Sequence, residues 1–214
     1  MGNLRWLVLP VAALAGMANA QFVNGNFETG DFTGWTLGLT SGGAQAFQSV
    51  VDFDIDGPGA LGVSKVGQFS AGRATGVTTG EHGVTLTQML NLSSGVNYTF
   101  EFDWAATRTI TSANSQGGIF ILTVDGVEIN RSAAGSTSST APHFGHHVGL
   151  FTPTSTGAHS VGVSIVRPFT IPTPTAPTLF QSVDNFTMTP VPEPASMIAL
   201  GLGAVALLRK RRKN

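Results

Sequence analysis

The sequence predicts an all-β protein built as a single antiparallel β-sandwich, on three observations. Apolar and polar residues alternate with a period of two along several segments. No stretch between residues 21 and 190 repeats with the period of a helix. The apolar segments are separated by short turns rich in Gly, Ser, Asn and Asp, with no helices between them.

Taken along the chain, the alternation first shows at 47–55, where Val51, Phe53 and Ile55 face one way and Gln48, Asp52 and Asp54 the other. Asp56, Gly57, Pro58 and Gly59 then form a turn. In 98–104, Tyr98, Phe100, Phe102 and Trp104 take one face and Thr99, Glu101 and Asp103 the other. Ile119–Val124 is apolar on both faces, as a central strand of a two-sheet sandwich is. Asp125 and Gly126 follow as a type I′ turn into Val127, Glu128 and Ile129, giving a hairpin. Residues 132–140 read as a Ser/Thr/Gly loop and 161–165 as a strand. The four prolines of 168–177 mark an extended loop or edge segment, and 183–188 is the last strand. Trp35 and Trp104 fall at core positions.

Both ends read as addresses rather than fold. Arg5, the apolar stretch 6–15 and the small residues Ala18 and Ala20 make residues 1–20 a cleaved signal peptide, so the mature chain is expected to begin at Gln21. At the other end, Pro192, Glu193 and Pro194 precede an apolar run, 195–208, and a basic tail, 209–213. A helix over that run is about 21 Å long, short for a bilayer core of about 30 Å, and its flanking cations can snorkel to the headgroups. The expected layout is therefore 1–20 signal peptide, 21–190 sandwich and 191–214 sorting segment with a short hydrophobic helix.

Composition excludes several classes. Without cysteine there are no disulfides, thiolate nucleophiles or thiolate metal sites. Residues 21–190 hold eleven of the twelve acids and five of the eleven Lys and Arg, a net charge of −6. Such a domain, with no basic stripe, is no nucleic-acid binder.

The order of Pro-Glu-Pro triplet, apolar run and basic cluster resembles the PEP-CTERM sorting signal of Gram-negative bacteria. The resemblance implies delivery across the inner membrane, transient anchoring there through the C-terminal helix, and processing by exosortase after signal peptidase has acted. The segment from Phe22 through Glu28 to Gly34 and Trp35 resembles the opening of galactose-binding-like jelly rolls, which include many carbohydrate-binding modules. Leu92 to Tyr98 with Phe100, Phe102 and Trp104 resembles their middle strands, and Ser182 to Thr187 their closing strand. In such jelly rolls the acid after the opening Phe and the acid of the closing strand hold a structural calcium. Glu28 and Asp184 are the matching residues, which apart from the resemblance read as two surface acids.

Other candidates are weaker. Asp52, Asp54, Asp56 and Gly57 copy the start of an EF-hand loop, but Val63 stands where its bidentate Glu belongs. His143, His146 and His147 form the one histidine cluster, read as lying on a loop entering a strand. No nucleophile elbow, zinc-protease motif or phosphate loop appears, so no catalytic residue is assigned. Glu101 and Asp103 share a strand face about 7 Å apart, with nothing in the sequence to open a cleft over them. A glycan site needs exposed aromatics beside polar groups, and the candidates are Phe144, Phe169 and Phe180 with Arg108. The whole implies an exported protein of the cell surface or extracellular matrix that binds or scaffolds exopolysaccharide. A structural or adhesive matrix protein without a discrete site is the alternative, and a glycan-active enzyme the third reading.

Overall fold

The computed structural model describes residues 21–59, 62–109, 115–137, 141–171 and 178–191. Among them run ten strands: β1 Thr36–Leu39, β2 Gly43–Phe53, β3 Ser64–Arg73, β4 His82–Leu92, β5 Tyr98–Arg108, β6 Ile119–Val124, β7 Val127–Ala133, β8 His143–Phe151, β9 Gly157–Arg167 and β10 Leu179–Pro190. They form two five-stranded sheets, β1-β4-β9-β6-β7 and β2-β3-β10-β5-β8, antiparallel at every paired edge. The all-β sandwich read from the sequence is the fold that forms.

The period-two residues place the core. Tyr98, Phe100, Phe102 and Trp104 are all buried between the sheets, against Val161, Val163 and Ile165 of β9 and Phe120 and Leu122 of β6. Trp104 stacks on Phe120 with ring centroids 4.9 Å apart. Residues 21–35 form turns rather than a strand, and their aromatics close one part of the core. Phe22 and Phe27 stack on Trp35, whose indole meets Phe186 at 4.7 Å and donates Nε1–H to the Asn24 carbonyl at 3.0 Å. Asn24 and Phe27 hold positive φ angles of 53° and 52°, turning the chain so that both rings reach inward. The type I′ hairpin is present, with Asp125 and Gly126 at φ 52° and 75°.

β6 is buried on both faces, yet it lies one strand from the sheet edge. On its outer side Ile119, Ile121 and Val166 form a small apolar patch. Arg131 of β7 reaches across that side to Glu81, just before β4, at 2.8 Å, and also pairs with Glu128 at 2.6 Å. Its alkyl stem and guanidinium shield the patch from water.

Two sequence readings are corrected. Residues 51–55 do place Val51, Phe53 and Ile55 together, but β2 ends at Phe53. The three pack with Val66, Ala105 and Phe144 on the outer face of the second sheet, apart from the main core. The histidines expected on a loop lie within β8 itself, where alternation sends His146 outward and buries His147 inward against Phe102. Residues 1–20, with Ala18 and Ala20, and residues 192–214, with Pro192, Glu193, Pro194 and the apolar run, lie outside the described residues. Among the described residues no helix is long and apolar enough to cross a membrane.

Candidate functional site

The outer face of the second sheet collects the chemistry. Register sets Phe144, Ala105, Ser182, Gln68 and Ser49 in one row across five strands. The next row sets His146 beside Asp103 and Asp184. A β-bulge between Asp184 and Thr187, with Asn185 at φ 56°, lets consecutive polar residues serve this face while Phe186 and Met188 return to the core.

The loop after β2 folds back over the face. Ile55, 2% exposed, packs on Val66 and Ala105, and Gly57 at φ 84° runs against the ring of Phe144. Two adjoining hollows result, sharing Phe144 as a wall. One, of about 420 Å³, is mostly apolar and lined by Phe53, Asp54, Pro58, Ala141, Pro142 and Phe144. The other, of about 230 Å³, is mixed in character and bounded by Asp56, Asp103, Gly145 and His146 over Ile55. Phe53 and Phe144 stack at 6.4 Å, leaving ring surface toward the cleft.

Hydrogen bonds fix the polar part. Asp103 Oδ1 meets His146 Nδ1 at 2.7 Å, and Asp103 Oδ2 accepts from Asn185 Nδ2 at 2.8 Å. His146 Nε2 lies 3.6 Å from Glu101 Oε2. Glu101 and Asp103 therefore share a face, as the sequence indicated, and a hollow does open beside Asp103. The Asp56 carboxyl is pushed up by burial, and further by the charges of Asp103 and Asp54.

The candidates taken from the sequence are placed unequally. Phe144 and Phe180 share this outer face. Phe180 is half-buried and packs edge-on against Phe47 at 5.4 Å, its Cα about 12 Å from that of Phe144 by strand spacing and rise. Arg108 alternates to the opposite side of β5 and does not join them. Phe169 lies past β9, where its carbonyl accepts from Arg73 N–H at 2.9 Å, and is 41% exposed. Sequence reasoning missed Phe53, Asp56 and His146 as members of the cleft. His146 follows Phe144 on the same face of β8 and Phe53 ends β2, while the fold-back of the 54–59 loop brings Asp56 to them.

Glu28 and Asp184 come together at the start of β3. Glu28 Oε1 accepts from the Lys65 N–H at 3.3 Å, and Asp184 Oδ2 accepts from Ser64 Oγ at 3.0 Å. Asp184 has no exposed surface, and its Oδ1 is buried with no hydrogen-bond partner. Burial pushes its carboxyl up to about 7, with the charges of Asp103 and Glu28 adding to the rise. An orphaned buried carboxylate oxygen beside a second acid fits a hard cation completed by backbone oxygens. Among the described residues no three His, Asp or Glu side chains converge on a metal position, so the histidines of β8 form no such set.

A separate groove of about 580 Å³ runs between residues 21–26 and 185–189. Its aromatics, Phe22 and Phe186, are buried and offer no open ring face.

Comparison with known proteins adds the following. No curated protein matches the chain. Residues 190–213 match the PEP-CTERM protein-sorting motif. Among solved structures, TmCBM61 in complex with β-1,4-galactotriose aligns with a TM-score of 0.45 and 16% identity over 80% of this chain and 99% of that one. A CBM4 structure aligns at 0.48 and 13% over 79% and 99%. The CBM22-1 xylan-binding domain of Xyn10C from Paenibacillus barcinonensis aligns at 0.44 and 14% over 84% and 99%. The chain thus carries a PEP-CTERM motif, the mark of an exported protein processed at the membrane, behind a β-sandwich whose structural neighbours are carbohydrate-binding modules.

Proposed function

We propose that the protein is an exosortase-processed component of the cell surface or extracellular matrix whose sandwich binds polysaccharide in the cleft beside Phe144. One observation carries this reading: an apolar hollow walled by the Phe53–Phe144 pair adjoins, across Phe144, a second one that presents Asp56, Asp103 and His146. A pyranose has the same division, with a C–H face that packs on rings and a rim of hydroxyls that need acceptors and donors. The sorting motif supplies the setting, since a chain sent outside meets polysaccharide there.

Glu28 and Asp184 serve as a structural calcium site in this reading. The ion would neutralise the orphaned Asp184 oxygen and tie the opening turns to the closing strand.

The test is affinity electrophoresis of the full-length chain, in mild detergent, through gels containing the host's own exopolysaccharide, with calcium and with chelator. Retardation that Phe144→Ala abolishes supports the cleft as a glycan site. Migration unretarded in both conditions sinks the reading and leaves a structural matrix protein.

A further inference from the structure

The cleft beside Phe144 carries charge of one sign. Asp54 lines its larger, apolar hollow, and Asp56 and Asp103 line the smaller one. Glu101 stands two residues from Asp103 on the same face of β5. Among the described residues that line the cleft, His146 is the one base, and Asp103 holds its Nδ1. Lys65, across the sheet, is paired with Asp52.

A second observation does not depend on that count. One carboxylate oxygen in the wall of the cleft, Oδ1 of Asp54, is buried with no partner. Like charges gathered in one cleft repel one another, and covering the partly open carboxylates of Asp56 and Asp103 with a neutral ligand would strip their water and return nothing.

Building on the glycan reading above, we propose that the cleft takes a cationic polysaccharide, one whose amino sugars carry free amino groups. The ammonium sits between Asp56 and Asp103, and the C–H face of the ring lies on Phe144 and Phe53. A uronate-bearing chain is repelled by the same carboxylates, and a neutral chain leaves them desolvated and unpaired. A bare metal ion makes no use of the apolar half of the cleft, and among the described residues no three His, Asp or Glu side chains converge to hold one there.

The experiment is calorimetric binding of four hexasaccharides to the full-length chain in mild detergent at about pH 6, where an amine is charged. They are β-1,4-linked glucosamine, its N-acetylated counterpart, a neutral β-glucan and an oligogalacturonate. The glucosamine hexamer is expected to bind at least about tenfold tighter than the acetylated and neutral ones, the worth of one charge-assisted hydrogen bond, and the galacturonate not measurably. Asp56→Asn and Asp103→Asn should each weaken glucosamine binding about tenfold. Raising salt from about 0.05 to about 0.5 M should weaken it as well. Asp56→Asn also removes a repelled charge, so its thermal stability should hold or rise, which separates lost binding from lost fold.

Equal affinity for the acetylated or neutral hexamer overturns the charge assignment while leaving the glycan reading in place. Glucosamine binding untouched by both Asn substitutions or by Phe144→Ala also overturns the proposal, by moving the attraction off the cleft. Binding of none of the four overturns the amino-sugar assignment, and the host-polysaccharide gel alone decides the glycan reading.

Discussion

Asp184 makes the chain's stability depend on pH and calcium in a way that can be worked out in advance, and Asp184→Asn should remove that dependence. Asp184 is enclosed, with Asp103 and Glu28 as its charged neighbours, and its carboxyl is raised from the ordinary 3.8 to about 7. Below the ordinary value both folded and unfolded chains hold the proton, so the native state carries no penalty. As pH rises from about 4 to about 7 the unfolded chain ionises first, and stability is lost through that window and then levels off. At 1.36 kcal/mol for each tenfold in proton affinity, the loss is about 4 kcal/mol above pH 7. Asparagine keeps an oxygen for the Ser64 hydroxyl and removes the charge, but its amide hydrogens replace an oxygen that has no partner. That new donor costs about 1–3 kcal/mol, so the net gain in alkaline chelator is about 1–3 kcal/mol. In urea titrations followed by tryptophan fluorescence, the native chain in chelator should be weaker at pH about 8.5 than at about 5. The variant should fall less over that range, by no more than the His159–Asp125 pair loses. Calcium should restore the native chain at pH about 8.5, by about 2.7 kcal/mol at a hundredfold excess over its dissociation constant, and leave the variant unmoved. A native chain equally stable at both pH values in chelator would refute the reasoning.

Further predictions concern the frame. Gly145 faces Trp104 across β8 and β5, and a Cβ there would collide with the indole ring, so Gly145→Ala should destabilise by about 1–3 kcal/mol in thermal unfolding and shift the tryptophan emission. Arg131→Ala breaks two ion pairs and uncovers the Ile119, Ile121 and Val166 patch. It should cost about 1 kcal/mol in urea unfolding, with Arg131→Met recovering part at high salt, where the ionic share fades. His159 Nδ1 lies 2.7 Å from Asp125 Oδ2, and that hydrogen bond raises the histidine above its ordinary 6.5 and lowers the aspartate below 3.8. The histidine's contribution is full below 6.5 and lost as pH rises through its raised value; the aspartate's is full above 3.8 and lost as pH falls through its lowered value. The pair is therefore strongest between the two ordinary values. An NMR titration should show His159 titrating above 6.5, and Asp125→Asn should return it toward normal.

Much of the frame was legible because strands announce themselves through local alternation. The run from Tyr98 to Trp104, the hairpin at Asp125 and Gly126 and the doubly buried Ile119–Val124 stand in the structure as read. β1, β3, β4 and β8 escaped notice. β3 and β8 carry glycines and small or polar residues on faces that contact other strands and a loop, so their alternation is diluted. The candidate site was half legible. Phe144 and Phe180 were named for being aromatic near loops, and both do reach one face. Arg108 fails to join them because strand parity turns it to the other side of β5.

By itself the sequence determined the class of fold, the aromatic core and the address. Alternation, turn residues and the C-terminal order of prolines, apolar run and cations are local properties, readable without a partner. Only the tertiary structure decided where the acids meet. Asp56, Asp103 and Asp184 are separated by dozens of residues, and their approach depends on strand order, on the bulge at Asp184 and on a loop folding over Phe144. Electrostatic coupling acts through space, so a chain read in one dimension shows the charges but not the field they make.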